Sequence, residues 1–516
     1  MPLRRRLPAH AARLGVLLTV LALCAPSQAS EVDPAAGPAL VAASAERIAE
    51  LRPAAETTPA WRFDFALSGS GDNPSEKEVP LSIVVTEAGY ALVQTLGTTE
   101  IYDYRVGRHF SLDTDGKSFR NSSLYAMPYF RVYEWVHRKR TSAIMAKLVT
   151  EPLPPSMISD FWRSQDLGIR PPQEAPSGIA ITRDGGRLNV AQDGVEAIAM
   201  TALAAPLPDG VAARLWDALT QVQPLHPDFV AHARAEKLAP ARQAIRPQRQ
   251  PKDRTVVVNL LSHAAVEQRY PLDAGFTALP PHPSPPGNPQ AAELVTVAWQ
   301  AAQGDFAGKQ PDTAFWQGLL IRARDSGGWL QPFLAFAALR NFTGSADPGC
   351  DGAAGLDAAT LCPLVRQLAD LKRFEAEAVP VLQMVGATDQ AGRLAAVEKL
   401  PGYRDAAGEL APILDLFIAN QIEGLTRTVT RSGGNFPDRH DAISLYASAL
   451  KSFPFIRQTY GDLSFYYFYY FDMELGFVFA DAGRALPVQG GMLKGSNLEA
   501  VGRIEQRLRK EFPTAF

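Results

Sequence analysis

The chain has 516 residues, with 51 Lys and Arg against 54 Asp and Glu, so its formal net charge at pH 7 is −3. A mildly acidic chain without long basic runs argues against nucleic acid as a partner. Its length predicts roughly two to four domains, at about 150 residues each, and its apolar fraction of 46% is ordinary for globular domains.

The first residues have the pattern of a secretory signal. A positively charged start, Arg4 to Arg13, precedes an apolar segment, Leu14 to Leu23, and the small-residue site Ser27-Gln28-Ala29. We predict cleavage after Ala29, so that residues 1–29 are a signal peptide. No later stretch reaches the ~18 uninterrupted apolar residues that a transmembrane helix needs. The sequence therefore predicts a periplasmic or secreted protein with no transmembrane segment.

The cysteines agree with export. Cys24 lies in the signal segment, where lipidation is an alternative, although the bulky Leu23 before it fits that pattern poorly. After cleavage only Cys350 and Cys362 remain, and in an oxidising compartment this even pair predicts a disulfide. A metal site is the alternative, but it needs more ligands and no His lies nearby in sequence. We expect a structural disulfide and no cofactor.

From Trp61 onward apolar residues alternate with polar ones, which is the period-two pattern of a half-buried strand. Further strand patterns follow at short spacing, and Asp115-Gly116 is a strong signal for a two-residue hairpin. Short strands joined by turns predict an antiparallel meander. The predicted strands are 61–68, 81–86, 90–96, 100–106, 109–113, 118–120, 179–183, 187–190, 195–200, 255–261 and 266–270.

Helical patterns interrupt these strands. One helix is predicted to begin at Asn121 or Ser122, each a plausible N-cap, with Pro128 in its first turn or at a kink. Two more helices are predicted, from an Asp209 cap to Leu219 and over 227–238. The fold class predicted for this part is α+β, an antiparallel curved sheet with inserted helices.

This arrangement, over residues 30–277, resembles the half-barrel of periplasmic lipoprotein carriers. The residues that carry the resemblance are Thr99 to Asp103, followed by the Asp115-Gly116 hairpin. The resemblance implies an N-terminal domain whose sheet takes a partner or an apolar ligand. It is a likeness of fold, and a shared fold does not by itself imply a shared function.

Residues 278–289, Ala-Leu-Pro-Pro-His-Pro-Ser-Pro-Pro-Gly-Asn-Pro, are the clearest predicted boundary. Such a density of Pro favours an extended, semi-rigid spacer. Beyond this linker the strand patterns stop, and we predict an all-α domain at 290–516 whose last helix begins at a capping box, Ser496 with Glu499. The predicted helices are 291–302, 313–324, 329–342, 359–374, 374–385, 390–400, 409–425, 441–454 and 496–512, with two further helices seeded at 460–467 and 475–482, the second closed by Pro487.

Residues 441–487 resemble tetratricopeptide helix pairs. Small residues at Ala442 and Ala449 let two helices approach, Tyr446 fills the groove between them, and Pro454 ends the helix. The resemblance covers about one and a half repeat units, because no matching first helix is predicted before Ala442. It implies a scaffold that presents a concave surface to a protein or peptide partner.

Residues 465–471 read Phe-Tyr-Tyr-Phe-Tyr-Tyr-Phe, the most unusual composition in the chain. A helix at this place carries rings on every side, so some are buried and some are exposed. Because Tyr joins an apolar body to a polar tip, we expect an aromatic groove for an extended peptide or a glycan. Burial of both helix faces by neighbouring helices is the alternative. The candidate binding residues are Tyr466, Tyr467, Tyr469 and Tyr470.

Motifs for catalysis are weak. The segment 324–328, Arg-Asp-Ser-Gly-Gly, echoes the nucleophile loop of trypsin-like proteases, but it lies between two predicted helices and is interpreted as a helix stop. The sequence contains no His-Glu-x-x-His, Cys-x-x-Cys or phosphate-binding glycine loop. Carboxylates such as Asp64 and Asp103 would form a pair only if they met across the sheet. We therefore assign no catalytic residue.

Two functions from different classes remain. The first, which we favour, is a non-catalytic binding or assembly protein of the cell envelope, with the helical domain for a protein or peptide partner and the sheet for a partner or an apolar ligand. The second is a hydrolase that acts on envelope polymers through carboxylates in the sheet cleft. Acidic or His side chains that converge with shifted pKa values would favour the hydrolase, and a cleft of aliphatic and aromatic residues alone would favour binding.

Overall fold

The computed structural model describes residues 34–51, 57–70, 78–148, 159–174, 179–205, 207–246, 255–281, 289–432, 439–488 and 495–515. The predicted signal peptide and residues 282–288 of the predicted linker lie outside these ranges. Within them, no helix combines the length and the apolar character needed to cross a membrane.

Twelve strands of the described residues form one curved sheet, as the alternating pattern predicts. The strands are β1 Thr57–Ser70, β2 Val79–Thr86, β3 Tyr90–Thr95, β4 Thr98–Asp103, β5 Arg108–Asp113, β6 Ser118–Ser123, β7 Ile181–Asp184, β8 Arg187–Gln192, β9 Val195–Ala202, β10 Pro240–Ile245, β11 Thr255–Arg269 and β12 Thr277–Leu279.

The order of strands in the sheet is β12-β6-β5-β4-β3-β2-β1-β11-β10-β9-β8-β7. Neighbours are antiparallel, except that β12 runs parallel to β6. Two meanders, β1 to β6 and β7 to β9, are joined through β1 and β11, which pair along their whole length from Thr57 with Arg269 to Ser70 with Thr255. The predicted antiparallel sheet is therefore confirmed.

Helices fill most of the remaining chain. Those of the N-terminal half are α1 Ala45–Leu51, α2 Ala126–Leu148, α3 Asp160–Leu167, α4 Val211–Val222 and α5 Pro227–Ala235. Those of the C-terminal half are α6 Pro289–Ala302, α7 Thr313–Asp325, α8 Leu330–Thr343, α9 Ala358–Ala369, α10 Glu375–Val385, α11 Gln390–Lys399, α12 Arg404–Ala407, α13 Ala411–Ser432, α14 Arg439–Ser452, α15 Arg457–Tyr469, α16 Met473–Ala485 and α17 Asn497–Glu511.

The fold class predicted from the sequence, α+β with a helical C-terminal region, is confirmed. Local signals also hold. Ser496 caps α17, because its Oγ accepts a hydrogen bond from the Glu499 backbone N–H at 3.3 Å, as predicted. The Glu499 carboxylate returns to the N–H of Gly495 at 2.5 Å, one residue before the N-cap. The sulfur atoms of Cys350 and Cys362 lie 2.11 Å apart, at disulfide distance.

The start of α2 corrects one helix prediction. Asn121 and Ser122 do not cap a helix, because both lie in β6 and pair with β5, and the helix begins at Ala126. Asn121 uses its side chain in tertiary contacts instead. It accepts a hydrogen bond from Arg108 Nε at 2.7 Å and donates one to the Leu40 carbonyl at 2.5 Å. These two hydrogen bonds satisfy the Asn121 side chain, so it does not have to cap a helix.

Two further boundaries differ from the sequence prediction. The strands predicted at 255–261 and 266–270 are one strand, β11, because the pairing with β1 shifts between Asp64 and Phe65 and leaves Leu261 as an extra, exposed residue. Asp209 does not cap α4. The N-cap is Gly210, with φ 78°, and the Asp209 carboxylate instead lies 2.5 Å from Lys237 Nζ.

Three apolar clusters make up the core. One lies on a face of the sheet and includes Phe63, Trp162 of α3 and Trp216 of α4. A smaller one lies between β4, β5 and α1. The largest fills the C-terminal helices, and it also takes in α2, through Val132 and Trp135. The helix that follows β6 therefore packs with the C-terminal helices. The domain boundary at 278–289 stays a prediction.

A buried ion pair joins the sheet to the helices. Arg108 of β5 donates from Nη1 to Asp481 of α16, and the two side chains are only 2% and 1% exposed. Arg484, one turn further along α16, bridges Asp481 and Glu505 of α17 at 2.6 Å each. Removing one member of such a pair leaves the other charge buried without compensation, which costs about 3–5 kcal/mol.

We therefore predict that Asp481→Asn lowers the free energy of unfolding by about 3–5 kcal/mol, because Arg108 and Arg484 lose their shared counter-charge. Denaturant unfolding of the mature protein measures this difference. The matched control is Glu196→Gln, which breaks an ion pair with Arg187 whose side chains are both 48% exposed, and it should leave the midpoint unchanged. Equal midpoints for Asp481→Asn and the parent protein would contradict the prediction.

Candidate binding site at the tyrosine run

Two antiparallel helix pairs surround the tyrosine run. Helix α13 packs along α14, and α15 packs along α16 after a connection of three residues, 470–472. Helix α13 corresponds to the helix predicted at 409–425, and it lies before α14 in the chain. Whether α13 matches the first helix of a repeat unit stays a prediction.

The four candidate tyrosines divide into two kinds. Tyr466 and Tyr467 are core residues, with 3% and 6% of their surface exposed, whereas Tyr469 and Tyr470 are partly exposed. A helix that carries rings on all sides inevitably buries some of them when it packs between neighbours. Only Tyr469 and Tyr470 therefore offer a surface to a partner. Their role in binding stays a prediction.

The buried rings fix α15 against its neighbours. Tyr466 meets Tyr446 of α14 edge-on at 6.1 Å, and Tyr467 stacks on Phe479 of α16 at 5.4 Å. Phe468 lies so close to α16 that a Cβ on Gly476 would come within 2.2 Å of its ring. The position of Gly476 thus requires glycine, and this close approach makes the helix pair rigid.

Phe471, two residues after the end of α15, brings the aromatic surface into contact with α2. Phe471 adopts φ 65°, a left-handed conformation in which a helix usually ends on Gly. Its ring lies 4.8 Å from both Tyr133 and His137 of α2. For a residue with a side chain this conformation costs roughly 1–2 kcal/mol, so the ring contacts must stabilise it.

Arg427 of α13 lies over this surface. Its guanidinium is 5.8 Å from the ring of Tyr469, within reach of a cation–π contact, and its side chain is 34% exposed. We define the aromatic rim as these half-exposed or exposed side chains of α2, α13 and the α15–α16 turn: Tyr133, His137, Arg427, Tyr469, Tyr470 and Phe471.

A buried polar network lies behind the aromatic rim. Asp462 of α15 accepts hydrogen bonds from the side-chain amides of Asn420 at 3.0 Å and Asn497 at 2.8 Å. The Tyr446 hydroxyl donates to Asn420 Oδ1 at 2.8 Å. Glu423 of α13 accepts from Arg427 Nη2 at 2.8 Å. Four helices, α13, α14, α15 and α17, are therefore connected by hydrogen bonds next to the aromatic rim.

The two acids of this network have raised pKa values. Burial raises the pKa of Glu423 to about 8, which Arg427 opposes and the nearby Asp462 reinforces. Burial also raises the pKa of Asp462 to about 6, against the hydrogen bonds from Asn420 and Asn497. The Glu423 carboxyl is therefore harder to ionise than an exposed one, although the Arg427 guanidinium lies 2.8 Å away. Shifted pKa values are typical of functional sites, although structural networks produce them as well.

The sheet does not bring Asp64 and Asp103 together. Asp64 lies opposite Ser82 in β2 and accepts a hydrogen bond from Ser262 at 2.8 Å. Asp103 is fully buried and accepts one from the Tyr270 hydroxyl at 3.1 Å. Each carboxylate therefore has its own partners.

A different polar cluster lies on β4, β5 and β6. Ser122 Oγ is 3.2 Å from His109 Nδ1, and His109 Nε2 is 2.7 Å from Glu100 Oε2. Tyr102 stacks on the His109 ring at 4.7 Å, and Ser111 donates to Glu100 at 2.9 Å. The sequence does not predict this cluster, because Ser122 is predicted at the start of a helix. Extending the Asp115-Gly116 hairpin by two more pairs would have placed Ser122 opposite His109.

Metal binding finds no support in the described parts of the chain, which contain no group of three or more His, Cys, Asp or Glu side chains that could hold an ion. The His109 cluster has one imidazole and one carboxylate, fewer ligands than a zinc site uses.

The raised pKa values predict a pH dependence. The folded state holds protons on Glu423 and Asp462 more tightly than the unfolded chain does, so the contribution of these two groups to stability is greatest below their ordinary pKa values, 4.5 and 3.8. It should fall as pH rises from about 4.5 through 6 to 8. Glu423→Gln, which imitates the protonated acid, should reduce this loss by on the order of 2 kcal/mol between pH 5 and pH 8.

Denaturant unfolding at pH 5 and pH 8 tests this difference. The control is Glu409→Gln, which changes a carboxylate that is 46% exposed and paired with Arg322 in the same helical region. It should preserve the slope of the parent protein. If Glu423→Gln and the parent lose the same stability between the two pH values, Glu423 does not carry the raised pKa.

No protein-family model matches this chain, and a search of curated proteins finds no match. The resemblances to tetratricopeptide helix pairs and to lipoprotein carriers therefore depend on the residues and on the fold. The function has to be argued from the site itself.

Proposed function

We propose that this chain is an exported, non-catalytic binding or assembly protein of the cell envelope, and that it takes a protein or peptide partner on the aromatic rim. The observation that carries the proposal is a row of half-exposed rings supported by a rigid, buried layer. Tyr and Arg are the residue types that most often dominate the energy of protein interfaces. The aromatic rim offers both.

The fixed positions of the side chains in the aromatic rim favour binding. Phe471 is held between Tyr133 and His137, and Tyr469 lies under Arg427. Side chains that are already ordered lose little conformational entropy when a partner covers them, so more of the contact energy appears as affinity. The strained backbone at Phe471 supports the same proposal, since strain of this kind concentrates at functional sites.

The charge of the aromatic rim indicates the class of partner. Arg427 lies beside Glu423, whose pKa is raised by burial, and the cations of Arg427 and Arg140 both act on the Tyr133 hydroxyl, where they oppose the rise in pKa that burial causes. Two guanidinium groups beside exposed rings favour an extended segment with acidic and aromatic side chains.

The arrangement of the helix pairs is an argument for a repeat-like scaffold. The pairs α13/α14 and α15/α16 stand next to each other, and the partly exposed end of the tyrosine run lies on α15 and just beyond it. A scaffold of tetratricopeptide-like pairs would present such residues on one surface. Export is favoured by the predicted signal peptide and by the cysteine pair at disulfide distance. An apolar ligand at the sheet stays a prediction.

Alanine substitutions test the proposal. A partner is first recovered from envelope extract and purified, and its dissociation constant is then measured with variants of the mature protein. Tyr469→Ala should weaken binding by ~2 kcal/mol, roughly 30-fold, with the free energy of unfolding nearly unchanged. The core variant Tyr466→Ala should instead lose about 3–5 kcal/mol of stability.

The control variant lies on a different helix of the same region. Arg366→Ala, a change of an exposed cation on α9 away from the aromatic rim, should leave affinity unchanged. If Ala at Tyr469, Tyr470 and Arg427 each leaves the dissociation constant of the partner unchanged, the aromatic rim is not the binding surface.

A second candidate function, a hydrolase in the sheet cleft, is favoured by a different observation. Ser122, His109 and Glu100 lie in line across three strands, as a nucleophile, a base and an orienting carboxylate would. In such a reaction Ser122 Oγ would attack an ester carbonyl and pass its proton to His109 Nδ1, which would return it to the leaving alcohol. Water would then release the acid from Ser122.

A fluorophosphonate probe tests the hydrolase. If the candidate is right, the probe labels Ser122 in the mature protein, and labelling is lost in Ser122→Ala and His109→Gln. Ser111→Ala is the matched control, because Ser111 lies in the same strand as His109 and donates to Glu100 without contacting the nucleophile. Absence of label on Ser122 in the folded protein would rule out a serine nucleophile.

A further inference from the structure

A cavity of about 280 Å³ lies where the N-terminal helices meet the end of the chain. Its walls come from α2, the turn that follows α3, the end of α4, the start of α5 and the 3-10 helix Pro513–Ala515. The volume is near the lower end of the ~300–1,000 Å³ range of ligand pockets, so it suits a small molecule. The cavity shares no lining residue with the aromatic rim or with the His109 cluster.

Arg131 of α2 brings a positive charge to this cavity. The side chain is partly buried, and its Nη2 donates to the Thr220 carbonyl at 3.0 Å. Across the described ranges, no carboxylate forms an ion pair with this guanidinium. Burial lowers the pKa of Arg131 to about 10, because removal from water disfavours the charged form. A buried cation without a counter-charge is costly to the fold.

The acids on the cavity wall already have partners. Asp228 accepts two hydrogen bonds from Arg170 Nη1 at 2.5 Å each, and Glu511 lies 3.4 Å from Arg507 Nε. Since each carboxylate faces its own guanidinium, neither neutralises Arg131. The cavity is therefore left with one uncompensated positive charge.

The rest of the wall is mostly apolar. A ligand would face the side chains of Pro128, Ile169, Val230, Phe512 and Pro513. A phosphate ion is strongly hydrated and needs several donors at once, which this wall does not supply. A carboxylate needs fewer donors, and its apolar body would cover the wall away from the charge.

We propose that this cavity binds a small apolar monocarboxylate, with its carboxylate on the guanidinium of Arg131 and its apolar body against Ile169, Val230 and Phe512. The planar guanidinium matches a carboxylate with two parallel hydrogen bonds. Binding restores the counter-charge that Arg131 lacks in the cavity. The site is independent of the binding function proposed for the aromatic rim.

Benzoate serves as the probe, and calorimetric titration of the mature protein measures its dissociation constant. Benzoate is expected to bind, whereas neutral benzamide of the same shape is not. Arg131→Gln should weaken benzoate binding by at least about tenfold. Arg131→Lys should weaken it by less, because lysine keeps the positive charge and loses only the two parallel N–H donors of the guanidinium. Lys139→Gln, at an exposed position of the same helix, should leave binding unchanged.

The stability of the ligand-free protein separates this role from a structural one. Because Arg131 has no counter-charge, Arg131→Gln should leave the unfolding midpoint unchanged or raise it. A large loss of stability in Arg131→Gln would mean that the fold already satisfies the guanidinium, and this would overturn the proposal. Equal affinity for benzoate and benzamide, or no binding of benzoate at all, would overturn it as well.

Discussion

The ion pair between Arg108 and Asp481 determines how the two halves of the protein meet. Each charge lies in an apolar environment, where it is tolerated only because the other is present. Arg484 and Glu505 extend the pair to α17, and Asn121 extends it to the edge of the sheet. The aromatic rim depends on this arrangement, since it combines rings of α2, which leaves the sheet, with rings of the α15–α16 turn.

Local patterns predicted most of the elements. Alternating residues identified most strands of the sheet, and helical spacing with caps such as Ser496 identified the C-terminal helices to within a few residues. The misassignments have tertiary causes. Asn121 was taken for a helix cap because its type favours caps, but its partners, Arg108 and the Leu40 carbonyl, are far away in sequence. A single sequence does not display such partners.

The candidate sites were harder to predict than the fold. The tyrosine run was visible as composition, but which rings are exposed depends on Tyr446 and Phe479 of other helices. Glu423 has no unusual neighbour in sequence, and its raised pKa arises from burial between three helices. Arg131 is one of many arginines in the sequence, and only the fold shows that it is partly buried without an ion pair to a carboxylate of the described residues. Burial and charge compensation are properties of the assembled fold, whereas sequence patterns report spacing.

The placement of α2 has a consequence for the order of folding. Its rings pack on Phe477, and the Arg509 side chain donates to the Tyr125 hydroxyl just before it, a contact that spans 384 positions. The part of α2 that carries these rings therefore stays uncovered until nearly the whole chain is available for folding. Contacts of such long range form slowly, and the exposed intermediate is prone to aggregate. A chain of this topology gains most from a chaperone that shields α2 while the last helices arrive.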